Sequence, residues 1–172
     1  MRDHDPDSEQ AIAAGQPPAI RLERAGWRDL RGVAAIQKAS FRPGLAYSLS
    51  GLSILSIFPN VVFLVARSDT LPVAGCVIAD RHRGNIRIMN LAVDPAARRQ
   101  GVGTALLRGV EAAFPAGDIM LMAEEWNTGA QALYEREGYQ RSGVAHDYYG
   151  KGRHGVSLKK ARGPAGHRRI QV

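Results

Sequence analysis

Three apolar segments rich in β-branched residues follow one another closely in the middle of the chain. They are VVFLVARS (61–68), PVAGCVIADRH (72–82) and NIRIMNLAVD (85–94), and only short turns separate them. Runs of this length and composition predict buried strands, and connections this short join antiparallel neighbours. Any fold for this sequence must therefore accommodate an antiparallel meander at its centre.

Helices and strands alternate around the meander. Before it, residues 20–25 alternate like a strand, whereas residues 27–41 and 46–58 carry apolar residues at helical spacing, with Trp27 and Leu30 among them. After it, the predicted order is helix, strand, helix and two closing strands, at residues 104–114, 118–125, 127–138, 139–146 and 155–160. This order predicts an α+β fold with a mixed, largely antiparallel central sheet flanked by helices.

The ends of the chain differ from the centre in composition. Residues 1–19 are polar and contain three prolines without periodicity, so we expect a disordered N-terminal tail. The net charge of the chain is +7. Seven positive charges follow Asp147, the last acidic residue, and no negative side chain accompanies them. Residues 161–172 are therefore expected to form a basic C-terminal tail, which either stays solvated or contacts nucleic acid or the ribosome weakly. One domain is expected between them, over residues 20–160.

Several classes of protein are excluded at this stage. No run of eighteen apolar residues is present, and the acidic N-terminus lacks the features of a secretory signal, so we expect a cytoplasmic protein without a membrane span. The only cysteine, Cys76, cannot form an internal disulfide, and no partner set for a zinc or other metal site accompanies it.

A glycine-containing loop lies between the third strand of the meander and the next helix. It reads ARRQGVGTALL (97–107). A P-loop would need a lysine after its last glycine, and a dinucleotide fingerprint would need a third glycine where Leu106 stands. The remaining interpretation is an anion seat, in which free amides at a helix N-terminus and two arginines face a diphosphate. We expect Gly101 and Gly103 to let the backbone approach that anion closely.

Two motifs resemble those of a known family. LAVDPAARRQGVGTALL (91–107) resembles the acetyl-CoA-binding segment of the GNAT superfamily of N-acetyltransferases, whose loop is written Q/R-x-x-G-x-G/A. NTGAQALYEREGYQRSG (127–143) resembles the second signature, N-x-x-A-x-x-L-Y-x-x-x-G-F/Y. The resemblance extends over roughly residues 20–160 and is strongest to the bacterial branch that acetylates ribosomal-protein alanine N-termini. It implies a GNAT-like acyl-CoA N-acyltransferase fold.

The resemblance also implies a donor site. Acetyl-CoA would be the co-substrate, without a metal, and Tyr134 would be the general acid that protonates the departing thiolate. Asn127 would contact the pantetheine arm, cap its helix, or do both. The other residues implied in donor binding are Leu91, Ala92 and Val93 for the pantetheine and Arg98, Arg99, Gln100, Gly101, Val102, Gly103 and Thr104 for the diphosphate.

The general base is where the sequence departs from the ribosomal branch, because Met122 stands where those relatives carry glutamate. Strand alternation places Glu124 on the same face as Met122, which makes Glu124 the candidate base. A water chain, Asp80 or His82 remain alternatives. The segment after residue 145 resembles the D-Y-Y segment of N-terminal alanine acetyltransferases. It offers Asp147 to hold an ammonium group, and Tyr148, with the adjacent Tyr149, to line the acceptor side.

The sequence therefore predicts an enzyme that transfers acetyl directly from acetyl-CoA to a primary amine. The leading acceptor is a protein or peptide N-terminal α-amine. A small-molecule amine, such as a polyamine, an aminoglycoside or an amino-acid-like compound, is the alternative. A non-catalytic acyl-CoA-binding or RNA-binding module is a third hypothesis from a different class, and a homodimer is left open.

Overall fold

The computed structural model describes residues 19–163. Within them one seven-stranded sheet has the order β1-β2-β3-β4-β5-β7-β6. The strands are β1 (Arg21–Arg24), β2 (Val61–Arg67), β3 (Gly75–His82), β4 (Asn85–Val93), β5 (Ile119–Glu124), β6 (Gln140–Ala145) and β7 (Gly155–Lys160). The helices are α1 (Leu30–Ser40), α2 (Leu49–Ile57), α3 (Val102–Ala113) and α4 (Thr128–Arg136). The predicted α+β class and the antiparallel meander, β2 to β4, are confirmed.

The first helix begins later than its apolar spacing predicts. Trp27 lies in a 3₁₀ turn, Trp27–Asp29, and is 69% exposed, so it is not part of the core. Asp29 fixes this turn: its Oδ2 accepts from the Gly26 amide at 2.8 Å, and its Oδ1 accepts from Arg67 of β2 at 3.0 Å. Because these bonds hold the chain in a turn, the α-helix begins at Leu30. The prediction that Trp27 belongs to the helix was wrong.

Helices cover both faces of the sheet. Helix α3 carries Val102, Leu106, Leu107 and Val110 on one side, a spacing of three to four residues that gives an apolar stripe, and all four are buried. Tyr134 of α4 joins the same core cluster. The opposite face of the sheet is covered by α1 and α2 through a second cluster, which contains Leu30, Val33, Ile36 and Leu52.

A bulge in β4 opens the sheet at its centre. β4 and β5 pair in parallel only where Ile86–Ile88 lies beside Ile119–Leu121. Opposite β3, the register passes from Ile88 to Asn90, so Met89 is an extra residue. Since a bulge bends its strand and changes which face the following residues take, β4 diverges from β5 beyond Ile88. The resulting gap lies between two strands that remain anchored on their outer sides to β3 and β7.

The predicted terminal segments lie almost wholly outside the described residues. Only Ala19 belongs to the N-terminal one, and residues 161–163 to the C-terminal one. Arg162 in the latter is docked on the domain: its amide donates to Asp118 at 2.9 Å and its guanidinium to the Phe114 carbonyl at 2.8 Å. None of the helices between residues 19 and 163 is long and apolar enough to cross a membrane.

Candidate active site

The gap between β4 and β5 forms part of a cleft of about 920 Å³. Its walls are β4 from Asn85 to Leu91, β5 from Met120 to Glu124, and α4 from Ala130 to Tyr134. The segment between α1 and α2 and the loop between β6 and β7 close it on the other side of the sheet. The cleft therefore joins the two faces of the sheet at the point where β4 leaves β5.

The glycine loop leads into the N-terminus of α3 and leaves its first amides without a capping side chain. Asp94 begins the loop by accepting from the Ala96 amide at 2.8 Å, and Gly101 turns the chain into α3 with φ at +85°, a conformation that favours glycine. The amides of the first turn have no intrahelical acceptors, and Gly101 has no side chain that could cap them. Arg98 and Arg99 are exposed beside them, and neither forms an ion pair within residues 19–163. This arrangement has the amides and the positive charge that a diphosphate requires.

The second glycine of the loop has a packing role beside the one predicted. A Cβ on Gly103 would lie 2.7 Å from Cδ2 of Leu133 in α4, whereas a Cβ on Gly101 would meet only Ile20, at 3.7 Å. Gly103 therefore lets α3 and α4 approach each other. The Thr104 hydroxyl is also engaged, since it donates to Glu137 at 3.1 Å, which leaves the Thr104 amide as its group for an anion.

Replacing Gly103 with alanine should weaken coenzyme A binding about tenfold where the first turn of α3, and not only the Leu133 side chain, shifts to relieve the contact, since misplacing a site by about 1 Å has effects of this size or larger. Isothermal titration with coenzyme A measures the change. Gly129→Ala is the matched control, since nothing lies within 4 Å of a Cβ there. In the double variant Gly103→Ala/Leu133→Ala, affinity should return toward that of Leu133→Ala alone. Continued weak binding would contradict the packing role.

Tyr134 occupies the position where the cleft meets the α3 face of the sheet. Asn127 caps its helix by accepting from the Ala130 amide at 3.1 Å, which is the capping role predicted for Asn127. The Tyr134 ring packs edge-on against Tyr139, with 5.9 Å between centroids, and Tyr134 is 7% exposed while lining the cleft. Burial raises the pKa of Tyr134 to about 12. The phenol therefore stays protonated throughout the neutral range and is available as a donor.

Glu124 is held by an arginine. Met122 and Glu124 both line the cleft, on the same face of β5, in agreement with their alternation. Both carboxylate oxygens of Glu124 accept from Arg153, at 2.7 and 2.9 Å, and these hydrogen bonds lower the pKa of Glu124. A carboxylate with a lowered pKa is a poor proton acceptor at neutral pH. The ion pair thus weighs against the general-base role predicted for Glu124. Among the alternatives, Asp80 is paired with Arg87 at 2.6 Å, whereas His82 lines the outer part of the cleft.

The loop between β6 and β7 separates the residues predicted for acceptor binding. Tyr148 lines the cleft and is 57% exposed. Asp147 is not among the lining residues, because its Oδ1 accepts from the Gly152 amide at 2.7 Å and its own amide donates to His154 at 3.1 Å. Asp147 thus shapes the loop, and its place outside the lining argues against its holding an ammonium group in the cleft.

Two buried amide side chains support the bulge, and no motif in the sequence indicated them. Asn90 follows the extra residue Met89 and lines the cleft. Its Oδ1 accepts from Gln37 of α1 at 2.5 Å, and its Nδ2 donates back to Gln37 at 3.1 Å. Both residues are buried, so each amide satisfies the other. This pair holds α1 against the part of β4 that diverges from β5.

A third buried amide side chain joins α4 to the end of β5. Gln131 donates from Nε2 to the carbonyls of Glu124 and Glu125, at 3.2 and 2.7 Å. The bonds fix the turn that places Tyr134 relative to β5. Gln131 lies at a variable position of the second motif, so the motif alone did not single it out.

Comparison with known proteins gives the family. A family model described as an acetyltransferase (GNAT) domain matches residues 59–141. An uncharacterized N-acetyltransferase of Methanocaldococcus jannaschii is 32% identical over 145 residues, which is 80% of this chain and 91% of that protein. The chain belongs to the GNAT family of N-acetyltransferases. It is therefore an enzyme of that class, as the two motifs predicted.

Solved structures share the GNAT fold at low identity. The ribosomal-protein-S18-alanine N-acetyltransferase of Escherichia coli matches with a TM-score of 0.73 and 20% identity, over 89% of this chain and all of that one. The PaiA N-acetyltransferase of Thermoplasma acidophilum, solved in complex with coenzyme A, matches with a TM-score of 0.70 and 15% identity, over 84% of this chain and 99% of that one. These matches confirm the predicted GNAT-like fold.

Proposed function

We propose that this GNAT enzyme transfers the acetyl group of acetyl-CoA directly to the N-terminal α-amine of a protein or peptide. The observation that supports this best is the cleft between β4 and β5, which joins the face of the sheet where Tyr134 packs to the face covered by α1 and α2. In the reaction the amine attacks the thioester carbonyl and an amide bond forms. The carbon–sulfur bond breaks, the thiolate takes a proton, and the new amide loses one.

The donor would lie along the diverging strand and end on the glycine loop. β4 is unpaired with β5 beyond Ile88, so the backbone near Leu91, Ala92 and Val93 has an edge on which the amides of a pantetheine arm can align. Gln100 to Thr104 would supply amides to the diphosphate, with Arg98 and Arg99 adding charge. Asn127 lines the same cleft and would contact the arm.

Tyr134 would act as the general acid. It is the tyrosine of the second motif. It belongs to α4 and lines the cleft in which the donor arm is proposed to lie. A phenol whose pKa is raised to about 12 keeps its proton until a base forms beside it. The departing thiolate would be that base, and desolvation beside the buried Tyr134 would raise its basicity toward that of the phenolate.

We assign no carboxylate as the base. Glu124 carries the lowered pKa described above, and Met122 cannot accept a proton. The acceptor side of the cleft is open to solvent at Tyr148, so water can remove the ammonium proton before attack and take up the second proton afterwards. This route requires an acceptor amine with a low pKa. An N-terminal α-amine, at about 7.7–8.0, meets the requirement better than a lysine-like amine at about 10.4.

The test is a screen of acceptors with thiol release as the signal. Peptides with free N-termini should be turned over, whereas the same peptides blocked at the N-terminus should be inert even when they contain lysine. Polyamines, aminoglycosides and free amino acids form the second arm. Turnover of small amines alone would overturn the peptide assignment. An absence of thiol release with every acceptor, despite tight acetyl-CoA binding, would contradict catalysis itself.

A further inference from the structure

The acceptor side of the cleft is a groove with an apolar floor. On β4 and β5, the residues that alternate with the α3-side core point to the opposite face, toward α1 and α2. Three of them are methionines, Met89, Met120 and Met122, and all line the cleft. Methionine side chains adapt to varied partners. The floor thus accepts an extended chain without selecting one side-chain shape.

Basic side chains outnumber acidic ones along this groove. The acidic and basic residues that line it are Arg42, His82, Arg87 and Glu124. Both oxygens of Glu124 are occupied by Arg153. Arg42 is exposed and, within residues 19–163, makes no ion pair. In the described part of the chain the groove therefore offers no unpaired carboxylate to a cationic acceptor, and its uncompensated lining charge at Arg42 is positive.

Arg87 is the best-positioned of these cations. Asp80 holds its guanidinium through Nε at 3.1 Å and Nη2 at 2.6 Å, while the Arg87 side chain remains 48% exposed. The hydrogen bonds to Asp80 are the main cause of the raised pKa of Arg87. Tyr47, from the segment between α1 and α2, and Tyr148, from the loop between β6 and β7, line the same cleft as Arg87. A guanidinium held in place at the cleft wall matches the hydrogen-bonding needs of a carboxylate.

We infer that the acceptor is an acidic N-terminal peptide, whose Asp or Glu side chain near the amine binds Arg87 and is attracted by Arg42. This inference rests on the proposed function and names its substrate class. Arg87 lies four residues before Leu91 on β4, about 13 Å along the strand. An extended peptide of three or four residues spans that distance from an amine placed beside Leu91 and Tyr134. Polycationic amines are disfavoured because Arg42 repels them and the described lining offers no unpaired carboxylate to attract them.

The first test compares peptides that differ at one position. Peptides with alanine at the N-terminus and Asp, Asn or Lys at the third residue, with a neutral remainder, are assayed by thiol release. The Asp peptide should have a kcat/KM about tenfold above that of the Asn peptide, the size expected of one charge-assisted hydrogen bond, and the Lys peptide should be slowest. Free aspartate and glutamate are included, since they carry the same carboxylate without a peptide. Better turnover of these than of the Asp peptide would overturn the inference for peptides.

Variants at the ion pair make the test specific to Arg87. Arg87→Gln should reduce the ratio of Asp to Asn peptide to about one. Asp80→Asn should increase the ratio, because the guanidinium is no longer shared with Asp80. The double variant Arg87→Gln/Asp80→Asn removes both charges. It therefore shows whether the effect of Arg87→Gln comes only from leaving Asp80 unpaired. Arg24→Gln, an equal change of charge at an exposed site on edge strand β1, is the control and should leave the ratio unchanged.

The outcomes separate the two proposals. Equal rates for Asp, Asn and Lys peptides would overturn the acidic-acceptor inference and leave N-terminal acetylation standing. A ratio that persists in Arg87→Gln and in the double variant would overturn the role of Arg87. Turnover of polyamines in preference to every peptide would contradict both the inference and the proposed function.

Discussion

Replacing Tyr134 with phenylalanine is expected to lower kcat by about 10²- to 10³-fold, the usual range for removing a general acid. The ring is kept, so its packing on Tyr139 and the fold should survive. Because the hydroxyl is proposed to act on the leaving group and not in donor binding, the dissociation constant of coenzyme A should change little. Steady-state kinetics, isothermal titration and thermal unfolding together separate these effects.

Tyr139→Phe provides a matched control five residues away. The Tyr139 hydroxyl is buried without a hydrogen-bond partner among residues 19–163, and Tyr139 does not line the cleft. Its removal should leave kcat unchanged and should not lower the melting temperature, because an unsatisfied buried hydroxyl is destabilising. Equal losses of kcat in both variants would indicate a general packing defect. A Tyr134→Phe enzyme within a few-fold of the original would show that another group protonates the thiolate.

The elements that could be predicted are those set by local periodicity and by the two motifs. β-Branched runs gave the meander, and the spacing of Leu106, Leu107 and Val110 gave α3, because in each case one face is buried against the sheet. Asn127 was predicted as a cap because its side chain needs only the amides of its own helix. Such interactions lie within a few residues of each other and are therefore visible in the sequence.

The features that escaped prediction depend on partners distant in the chain. Arg153 lies 29 residues after Glu124, and Gln37 lies 53 residues before Asn90. The bulge at Met89 appears only when β3 and β4 are placed side by side. The packing reason for a glycine at position 103 likewise becomes clear only when Leu133 of α4 is placed against it. The alternation of residues along β5 predicted that Glu124 faces the cleft. The pKa of its carboxyl, however, is set mainly by Arg153, which lies in the loop between β6 and β7.

The loop between β6 and β7 is fastened to the end of β5 by three contacts. Glu124 pairs with Arg153, the Tyr149 hydroxyl donates to the Met122 carbonyl at 2.9 Å, and the Glu125 amide donates to the His154 carbonyl at 3.0 Å. Since Tyr148 belongs to this loop and lines the cleft, the ion pair positions one wall of the acceptor groove. This assigns Glu124 a positioning role in place of proton transfer, and the two roles predict different results.

Reversing the charge of either partner alone should lower kcat/KM for a peptide by about 10- to 100-fold, mainly through the KM of the acceptor, since like charges would then meet at the loop. The exchange variant Glu124→Arg/Arg153→Glu restores an ion pair and should recover most of the loss. In the exchange variant the carboxylate stands at position 153, where it could not accept the proton that Glu124 would take. Failure of the exchange to recover activity would therefore favour proton transfer by Glu124.

The pH dependence gives an independent answer for Glu124. Its lowered pKa means that it is ionised in the folded enzyme at all pH values above the ordinary glutamate range, and its pairing with Arg153 is lost only as the pH falls through that lowered pKa. The acid limb of kcat/KM at neutral pH should thus be the same in Glu124→Gln as in the original enzyme, although the acceptor KM rises. A Glu124→Gln enzyme that loses this limb would show that Glu124 removes the proton despite Arg153, because a limb that comes from ionisation of the acceptor amine itself would remain in the variant.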